Sequence, residues 1–180
     1  SLFLKHKNRV LESSWDLSHL HFLVNAGEAV SATTANAFAS MLAPKGLPGT
    51  ALRPAFGMSE TCSGITWSSG FDVASNDKAV SLGGPIPSAS LKIVDEKGQT
   101  LPEGDVGQLL VAGPSVTREY LNATEANKES FQDEWLITGD LGFISKGELY
   151  ITGREKEVLI INGANLHCHE IEQTVEALPD

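Results

Sequence analysis

Asp140 and Arg154 are the residues of this sequence whose types and setting point most directly to chemistry. Asp140 lies in TGDLG, which we interpret as a turn, and Arg154 follows a glycine directly after a predicted hydrophobic strand. A carboxylate can accept two hydroxyl protons at once, and a guanidinium can fork to hydroxyls or to phosphate. The local alternative for Asp140 is a turn in which it satisfies nearby backbone N–H groups. For Arg154 it is a surface ion pair with Glu155 or Glu157.

A second cluster of functional residue types follows the short predicted strand Ala51–Gly57. Phe56 can stack a planar base, the Ser59 hydroxyl can contact phosphate, and the Glu60 carboxylate can hold Mg²⁺. A plain β-turn with polar corners explains the same residues. The stretch also approaches the G-x-S-x-G motif of serine hydrolases, with Thr61 in place of the last glycine. A hydrolase built on Ser59 therefore stays open as an alternative.

A glycine loop, Asn25–Val30, ends a predicted buried strand that begins at Leu20. Gly27 allows the backbone to approach a ligand closely. Glu28 has a simpler explanation, because acidic residues favour the start of a following helix. The loop alone indicates a ligand site only weakly, and its position at a strand end is what makes it a candidate.

Composition and charge narrow the class of protein. The chain has 180 residues, of which 41% are hydrophobic and 20% charged, in keeping with a packed core. Its net charge of −10 argues against nucleic acid as a partner, because phosphate binding needs clustered lysine and arginine. Two cysteines, Cys62 and Cys168, are too few for a disulfide framework and favour a reducing, cytoplasmic compartment. No apolar run approaches the ~20 residues that span a bilayer.

The elements that must position these residues fall into two kinds. Residues 20–57 predict a strand, a helix and a strand, with Ser31 as the helix cap. The predicted apolar face of the helix consists of Ala37, Phe38, Met41 and Leu42. From Ala89 onward, short strands around turn glycines predict a small antiparallel sheet or barrel. A short helix with Thr124 as its cap interrupts them.

Beyond Gly153, the sequence predicts one more strand, Glu157–Gly163, and an amphipathic helix, His169–Leu178. The predicted fold class is therefore α/β (α+β), in three parts. These are a partial α/β layered subdomain at residues 1–76, a small antiparallel β-barrel-like subdomain at 77–155, and the start of a small C-terminal α+β domain at 156–180.

Five segments stand in the order found in the adenylate-forming (AMP-binding) superfamily, and on them the sequence resembles that family. They are NAGEAV, FGMSET, the stretch from Gly83 to Leu121, WLITGDLG, and GREKEVLIINGANLHCHEIE. The family includes acyl-CoA synthetases, fatty acyl-AMP ligases and the adenylation domains of nonribosomal peptide and polyketide synthases. The resemblance runs from about Leu20 to Leu178.

The resemblance implies a ligase that uses ATP and Mg²⁺ to activate a carboxylic acid as acyl-AMP and then passes the acyl group to a thiol. It implies that Phe56 stacks on adenine and that Ser59 lies near the α-phosphate. Glu60 would be the Mg²⁺ ligand, and Lys156 the hinge between two half-reactions. The implied nucleotide contacts are Gly27, Glu28, Ala29, Phe56, Gly57, Met58, Ser59, Asp140 and Arg154, the last two on the ribose.

The acyl acceptor implied by the resemblance is the phosphopantetheine of a carrier protein, or CoA for a free acyl-CoA synthetase. The segments look most like acyl ligases that load polyketide or peptide synthases, with a fatty or other acyl substrate. The phosphate-gripping loop is expected before Ser1 and the catalytic lysine after Asp180, so the 180 residues alone are predicted to be inactive. A serine hydrolase at Ser59 and a non-catalytic interaction module are the alternatives from other classes.

Overall fold

Two β-sheets and a hairpin organise the computed structural model, which describes residues 2–71, 80–161 and 164–168 together with Ile171 and Val175. Its helices are α1 (Leu2–Lys5), α2 (Lys7–Glu12), α3 (Ala32–Leu42) and α4 (Thr124–Ser130). Its strands are β1 (Leu23–Asn25), β2 (Leu52–Gly57), β3 (Gly64–Trp67), β4 (Gly84–Pro85), β5 (Ser90–Val94), β6 (Gly107–Ala112), β7 (Phe131–Gln132), β8 (Trp135–Ser145), β9 (Glu148–Arg154), β10 (Val158–Ile161) and β11 (Ala164–His167).

The first sheet has the strand order β1-β2-β3-β4, with β1 and β2 parallel and β3 antiparallel to β2. Asn25 pairs with Pro54, so the loops that leave β1 and β2 emerge at the same edge. The prediction of a buried strand here is wrong. Phe22 is 68% exposed and Val24 49% exposed, because β1 is an edge strand with one paired neighbour among the described residues.

Helix α3 connects the two parallel strands, as predicted. The Ser31 side chain accepts a hydrogen bond from the backbone N–H of Thr34, which confirms the cap. The apolar face differs from the prediction at one position, since Ala37 is exposed whereas Ala35 and Leu42 are buried. Residues 35 and 42 are seven apart and share a face, and residue 37 lies about 200° from residue 35 around the helix.

The second sheet is antiparallel, in the order β5-β6-β8-β7, and β9 pairs with the later part of β8 on the same edge as β7, opposite β6. It shares a core with the first sheet, because the buried cluster contains Ile65 of β3 beside Leu109 of β6. Backbone hydrogen bonds also join residues 82 and 83 to Leu149 of β9. The remaining buried members of that cluster are Ile93, Val111, Leu136 and Leu149.

Two smaller predictions have different outcomes. The residue that precedes α4 is Ala123, so Thr124 is the first helical residue and not the cap. The Asn127 side chain instead binds the backbone N–H and C=O of Tyr120 and ties the preceding loop to the helix. The strand predicted after Gly153 is confirmed as β10, which pairs with β11.

Parts of two further predictions lie outside the described residues. The boundary near residue 77 falls in residues 72–79. In the predicted C-terminal helix, Ile171 and Val175 are helical and exposed, and its other residues are not described. Of the helices that the structure does describe, none is long and apolar enough to cross a membrane.

Candidate functional site

Asp140 and Arg154 are brought into direct contact. The Arg154 Nε donates a hydrogen bond to Asp140 Oδ1 over 2.9 Å. The interpretation of TGDLG as a turn is wrong, because Asp140 lies inside the eleven-residue strand β8. Gly139 adopts a left-handed φ of 76°, a conformation common in turns, but the strand continues through it.

An irregular register between β8 and β9 creates this pair. Gly142 pairs with Ile151, but Leu141 pairs with Gly153, so Thr152 is an extra residue on β9. Asp140 then faces Arg154. With a regular register it would face Gly153. The Thr152 hydroxyl donates to the Leu141 carbonyl over 3.2 Å and satisfies an acceptor at the bulge.

Asp140 is a buried carboxylate with a partly solvated partner. It is 4% exposed, whereas the Arg154 side chain is 59% exposed. Burial raises the pKa of Asp140 above its ordinary value, and Glu157 adds to this rise, while Arg154 and Thr138 oppose it. The carboxylate is therefore held in a dry setting where its free lone pairs are available to a ligand's hydroxyl groups.

Thr138 supports the candidate site, and the sequence interpretation missed it. Its hydroxyl donates to the Leu109 carbonyl over 2.9 Å and accepts from the backbone N–H of Asp140 over 3.0 Å. The threonine thus ties β8 to β6 and fixes the backbone from which Asp140 projects. The signal was a hydroxyl residue two positions before the acid, a spacing typical of side-chain-to-backbone turns.

The raised pKa of Asp140 gives a prediction about stability. Because its folded pKa exceeds the ordinary value of 3.8, the folded state binds the proton more tightly than the unfolded state. Its stabilising contribution is full below pH 3.8 and is lost as pH rises through the folded pKa. We expect Asp140→Asn, which does not titrate, to gain melting temperature relative to wild type between pH 3.8 and pH 7.

The matched control for this titration is Asp105→Asn, because Asp105 is an exposed carboxylate in the loop that connects β5 and β6 of the same sheet. Melting temperatures of wild type and both variants are measured at several pH values. Parallel curves for wild type and Asp140→Asn would contradict the prediction, as would a falling relative stability of that variant toward neutral pH.

The second candidate group, Phe56–Glu60, lies where β2 turns into β3. Ser59, Glu60 and Thr61 form one turn of 3-10 helix, and the buried Thr61 hydroxyl binds the Met58 N–H and the Met58 and Ser63 carbonyls around it. Phe56 and Met58 are partly buried against the core shared by both sheets, and Ser59 is exposed. The turn is therefore a rigid platform attached to the same core as Asp140.

This geometry weakens the hydrolase alternative. A nucleophile elbow places its serine on a strained turn between a strand and a helix. Here Ser59 stands in a short 3-10 turn between two antiparallel strands, β2 and β3. Thr61, which replaces the last glycine of the motif, uses its side chain to close that turn.

The third candidate group lies in the loop that follows β1, beside this platform. It consists of Gly27, Glu28 and Ala29. Gly27 has a left-handed φ of 95° with no atom within 4 Å of a Cβ built on it, so its face is open. Glu28 and Ala29 are exposed. Because β1 and β2 are parallel, this loop and the Ser59 turn are neighbours at one edge, as the strand-end argument predicts.

Glu60 contacts the second half of the chain. Its Oε1 accepts a hydrogen bond from the Tyr120 hydroxyl over 2.8 Å, and its backbone carbonyl accepts from the Thr117 N–H over 2.7 Å. In the described part of the chain no group of three or more His, Cys, Asp or Glu side chains could hold a metal alone. A lone carboxylate suits Mg²⁺, which proteins commonly bind through one or two carboxylates and the substrate's phosphates.

Lys156 follows directly on the Asp140–Arg154 pair. It lies exposed in a 3-10 turn, Glu155–Glu157, that joins β9 to β10. Glu155 accepts a hydrogen bond from the Gln108 side chain of β6 over 3.0 Å. The structure thus places Lys156 between the sheet that carries Asp140 and the β10–β11 hairpin.

A sequence model of the AMP-binding enzyme family matches residues 2–121, two thirds of the chain. The chain belongs to the AMP-binding enzyme family. Among curated relatives, aspulvinone E synthetase melA from Aspergillus terreus is 38% identical over 167 residues, which are 90% of this chain and 18% of that protein. This AMP-binding chain thus spans less than a fifth of that relative.

Solved structures of adenylation domains share the fold closely. The structure of McyG A-PCP complexed with phenylalanyl-adenylate is 48% identical, with a TM-score of 0.93 over 98% of this chain and 32% of that chain. The adenylation domain of a keto acid-selecting NRPS module bound to keto acyl adenylate is 36% identical, with a TM-score of 0.83 over 99% of this chain and 37% of that chain. The predicted family and fold class are confirmed for this AMP-binding chain.

Proposed function

We propose that these residues form the nucleoside-binding part of an ATP-dependent ligase that activates a carboxylic acid as its acyl-adenylate. The observation that carries the proposal is the buried Asp140 carboxylate, held opposite Arg154 by a strand bulge. One Asp140 oxygen accepts from Arg154, and the remaining lone pairs suit the two hydroxyls of a ribose. The Arg154 side chain, largely exposed, extends the same face toward the sugar.

The other residues take positions around this pair. The open loop Gly27–Ala29 and the partly buried Phe56 ring suit a flat adenine. The backbone of Gly57 and Met58 would border the same adenine site. The exposed Ser59 hydroxyl suits the α-phosphate. A Mg²⁺ ion on Glu60, when bound, would neutralise phosphate charge during attack by the carboxylate. The chain's own contribution is to fix the nucleotide so that its α-phosphate faces that attack.

The acceptor and the hinge belong to the same proposal. We infer that the acyl group passes to the phosphopantetheine thiol of a carrier protein, because the solved structure of highest identity quoted above includes a carrier domain, the PCP, beside its adenylation domain. CoA is the second candidate acceptor. Lys156, exposed between β9 and β10, is the proposed pivot for the domain movement between the two half-reactions. A cytoplasmic location is proposed from the low cysteine count.

The most detailed part of the proposal is the class of carboxylic acid that is activated. The two similar structures hold a phenylalanyl-adenylate and a keto acyl adenylate at 48% and 36% identity. A fatty acyl-adenylate ligase structure is only 24% identical and indicates the shared fold alone. We therefore rank an aromatic amino or keto acid above a fatty acid.

The test is carboxylate-dependent ATP–pyrophosphate exchange by the full-length protein that contains these residues. Aromatic amino acids, their 2-keto analogues, fatty acids and aryl acids are compared at equal concentration. Exchange with one class names the substrate, and transfer of the labelled acid to carrier protein or to CoA names the acceptor. Absence of exchange with every acid, in a protein that is folded by circular dichroism, would refute the proposed activity.

A further inference from the structure

We infer that Tyr120 is a positioning residue that orients the Glu60 carboxylate for a divalent cation on the nucleotide. This inference rests on the proposed function, because it assigns a role within the same nucleotide site. Tyr120 lies in the loop between β6 and α4, sixty residues after Glu60 in the chain. No motif in the sequence joins the two residues, and only the folded structure brings them together.

The contact has the geometry of a directed hydrogen bond. The Tyr120 hydroxyl donates to Glu60 Oε1 over 2.8 Å, within the range of a good O–H···O bond. A phenol that occupies a lone pair of Oε1 restricts rotation of the carboxylate and leaves Oε2 for a hard cation. Groups that orient metal-binding carboxylates in this way typically change metal affinity by about 10–100-fold when removed.

Tyr120 is itself held by three contacts, two on its backbone and one on its ring. The Asn127 side chain binds both the N–H and the C=O of Tyr120, over 2.6 and 2.9 Å. The Tyr120 ring meets the Phe131 ring edge-on, with centroids 5.5 Å apart. A fourth contact, from the Thr117 N–H to the Glu60 carbonyl, fixes the carboxylate's own backbone to the same loop. These contacts fix the position of Tyr120 relative to Glu60, as expected for a residue that orients the Glu60 carboxylate.

The phenol remains a donor under ordinary conditions. A tyrosine phenol has one O–H donor and ordinarily ionises only at a pH of about 10. Tyr120 thus keeps its proton at neutral pH and presents a neutral donor. A lysine or arginine at this place would instead compete with the cation for the carboxylate.

The experiment compares ATP binding with and without metal in the full-length protein. Isothermal titration calorimetry gives the Kd for ATP in EDTA and the Kd for ATP with excess Mn²⁺, and their ratio measures the contribution of the metal. We expect Tyr120→Phe to lower this ratio by about 10-fold and to leave metal-free ATP affinity unchanged. The matched control is Tyr150→Phe, because Tyr150 stacks on Phe143 away from Glu60.

A double-mutant comparison distinguishes orientation of the Glu60 carboxylate by Tyr120 from a purely structural role of Tyr120. If Tyr120 acts through Glu60, then Tyr120→Phe should have no further effect on the ratio in a Glu60→Gln background. A Tyr120→Phe variant that weakens metal-free and Mn²⁺-bound ATP equally would identify a structural clamp and overturn the inference. So would a wild-type ratio in Tyr120→Phe beside a reduced ratio in Glu60→Gln.

Failure of the proposed function would look different. A wild-type protein that binds neither form of ATP would refute the nucleotide site itself. A wild-type ratio in Glu60→Gln would show that Glu60 does not bind the metal, and it would overturn the role of Tyr120. ATP binding and the ligase proposal would stand.

Discussion

Replacing Asp140 with alanine is expected to lower kcat/KM for ATP in the exchange reaction by about 10²–10⁴-fold, because two hydrogen bonds accepted by a carboxylate are worth roughly 1.5–3 kcal/mol each. The loss should come from binding of the ribose, which the ground state and the transition state share. We therefore expect most of it in the KM for ATP. Steady-state exchange at varied ATP, with the acid saturating, measures both constants.

Two variants make this result specific. Asp140→Asn keeps the side-chain shape and is expected to be at least as stable as wild type at neutral pH, so its loss of activity cannot be attributed to unfolding. Asp105→Asn removes an exposed carboxylate from the same half of the chain and should leave both constants unchanged. An Asp140→Ala enzyme with wild-type KM for ATP would show that the ribose is held elsewhere.

Replacing Gly57 with alanine is expected to lower exchange activity by about 100-fold, because a displacement of roughly 1 Å in a binding group has an effect of that order. A Cβ on Gly57 would lie 2.1 Å from the Ser63 carbonyl oxygen and 2.6 Å from the Gly64 Cα. Both are backbone atoms, so the turn that carries Ser59 and Glu60 has to move. We also expect a loss of about 1–3 kcal/mol in stability from overpacking.

Gly49→Ala is the matched control. Gly49 has no atom within 4 Å of a Cβ position and no left-handed φ, so alanine fits there without a shift. Exchange activity and melting temperature are measured for both variants. If Gly57→Ala and Gly49→Ala behaved alike, the close approach of β2 and β3 would have no role in placing the turn.

The elements of the fold were largely predictable because their patterns are local. The Ser31 cap, the strand that ends at Gly57 and the alternation along β8 and β9 depend on neighbours within a few positions. Strand β3, Gly64–Trp67, was missed because Ser and Gly residues surround a run of only four. Its Ile65 and Thr66 are typical strand residues and were the available signal.

The site was predictable as a set of residues but not as an arrangement. Resemblance to the family supplied Asp140, Arg154 and Glu60 by their order in the chain. Nothing local indicated that Arg154 faces Asp140, since this depends on register between strands, or that Tyr120 reaches Glu60. Long-range pairs of this kind follow from how whole strands stack, and a single sequence carries no separate signal for them.

The extra residue at Thr152 has a consequence for the way this protein tolerates change. The acid and the base meet because of a count of residues, not because of the identity of Thr152. A substitution scan that preserves chain length will therefore find this position permissive, while insertion of one further residue between Thr152 and Gly153, beside an unchanged bulge, would leave glycine facing the carboxylate. Length polymorphism in this short segment, more than amino-acid variation, is where selection on the Asp140–Arg154 contact should be visible.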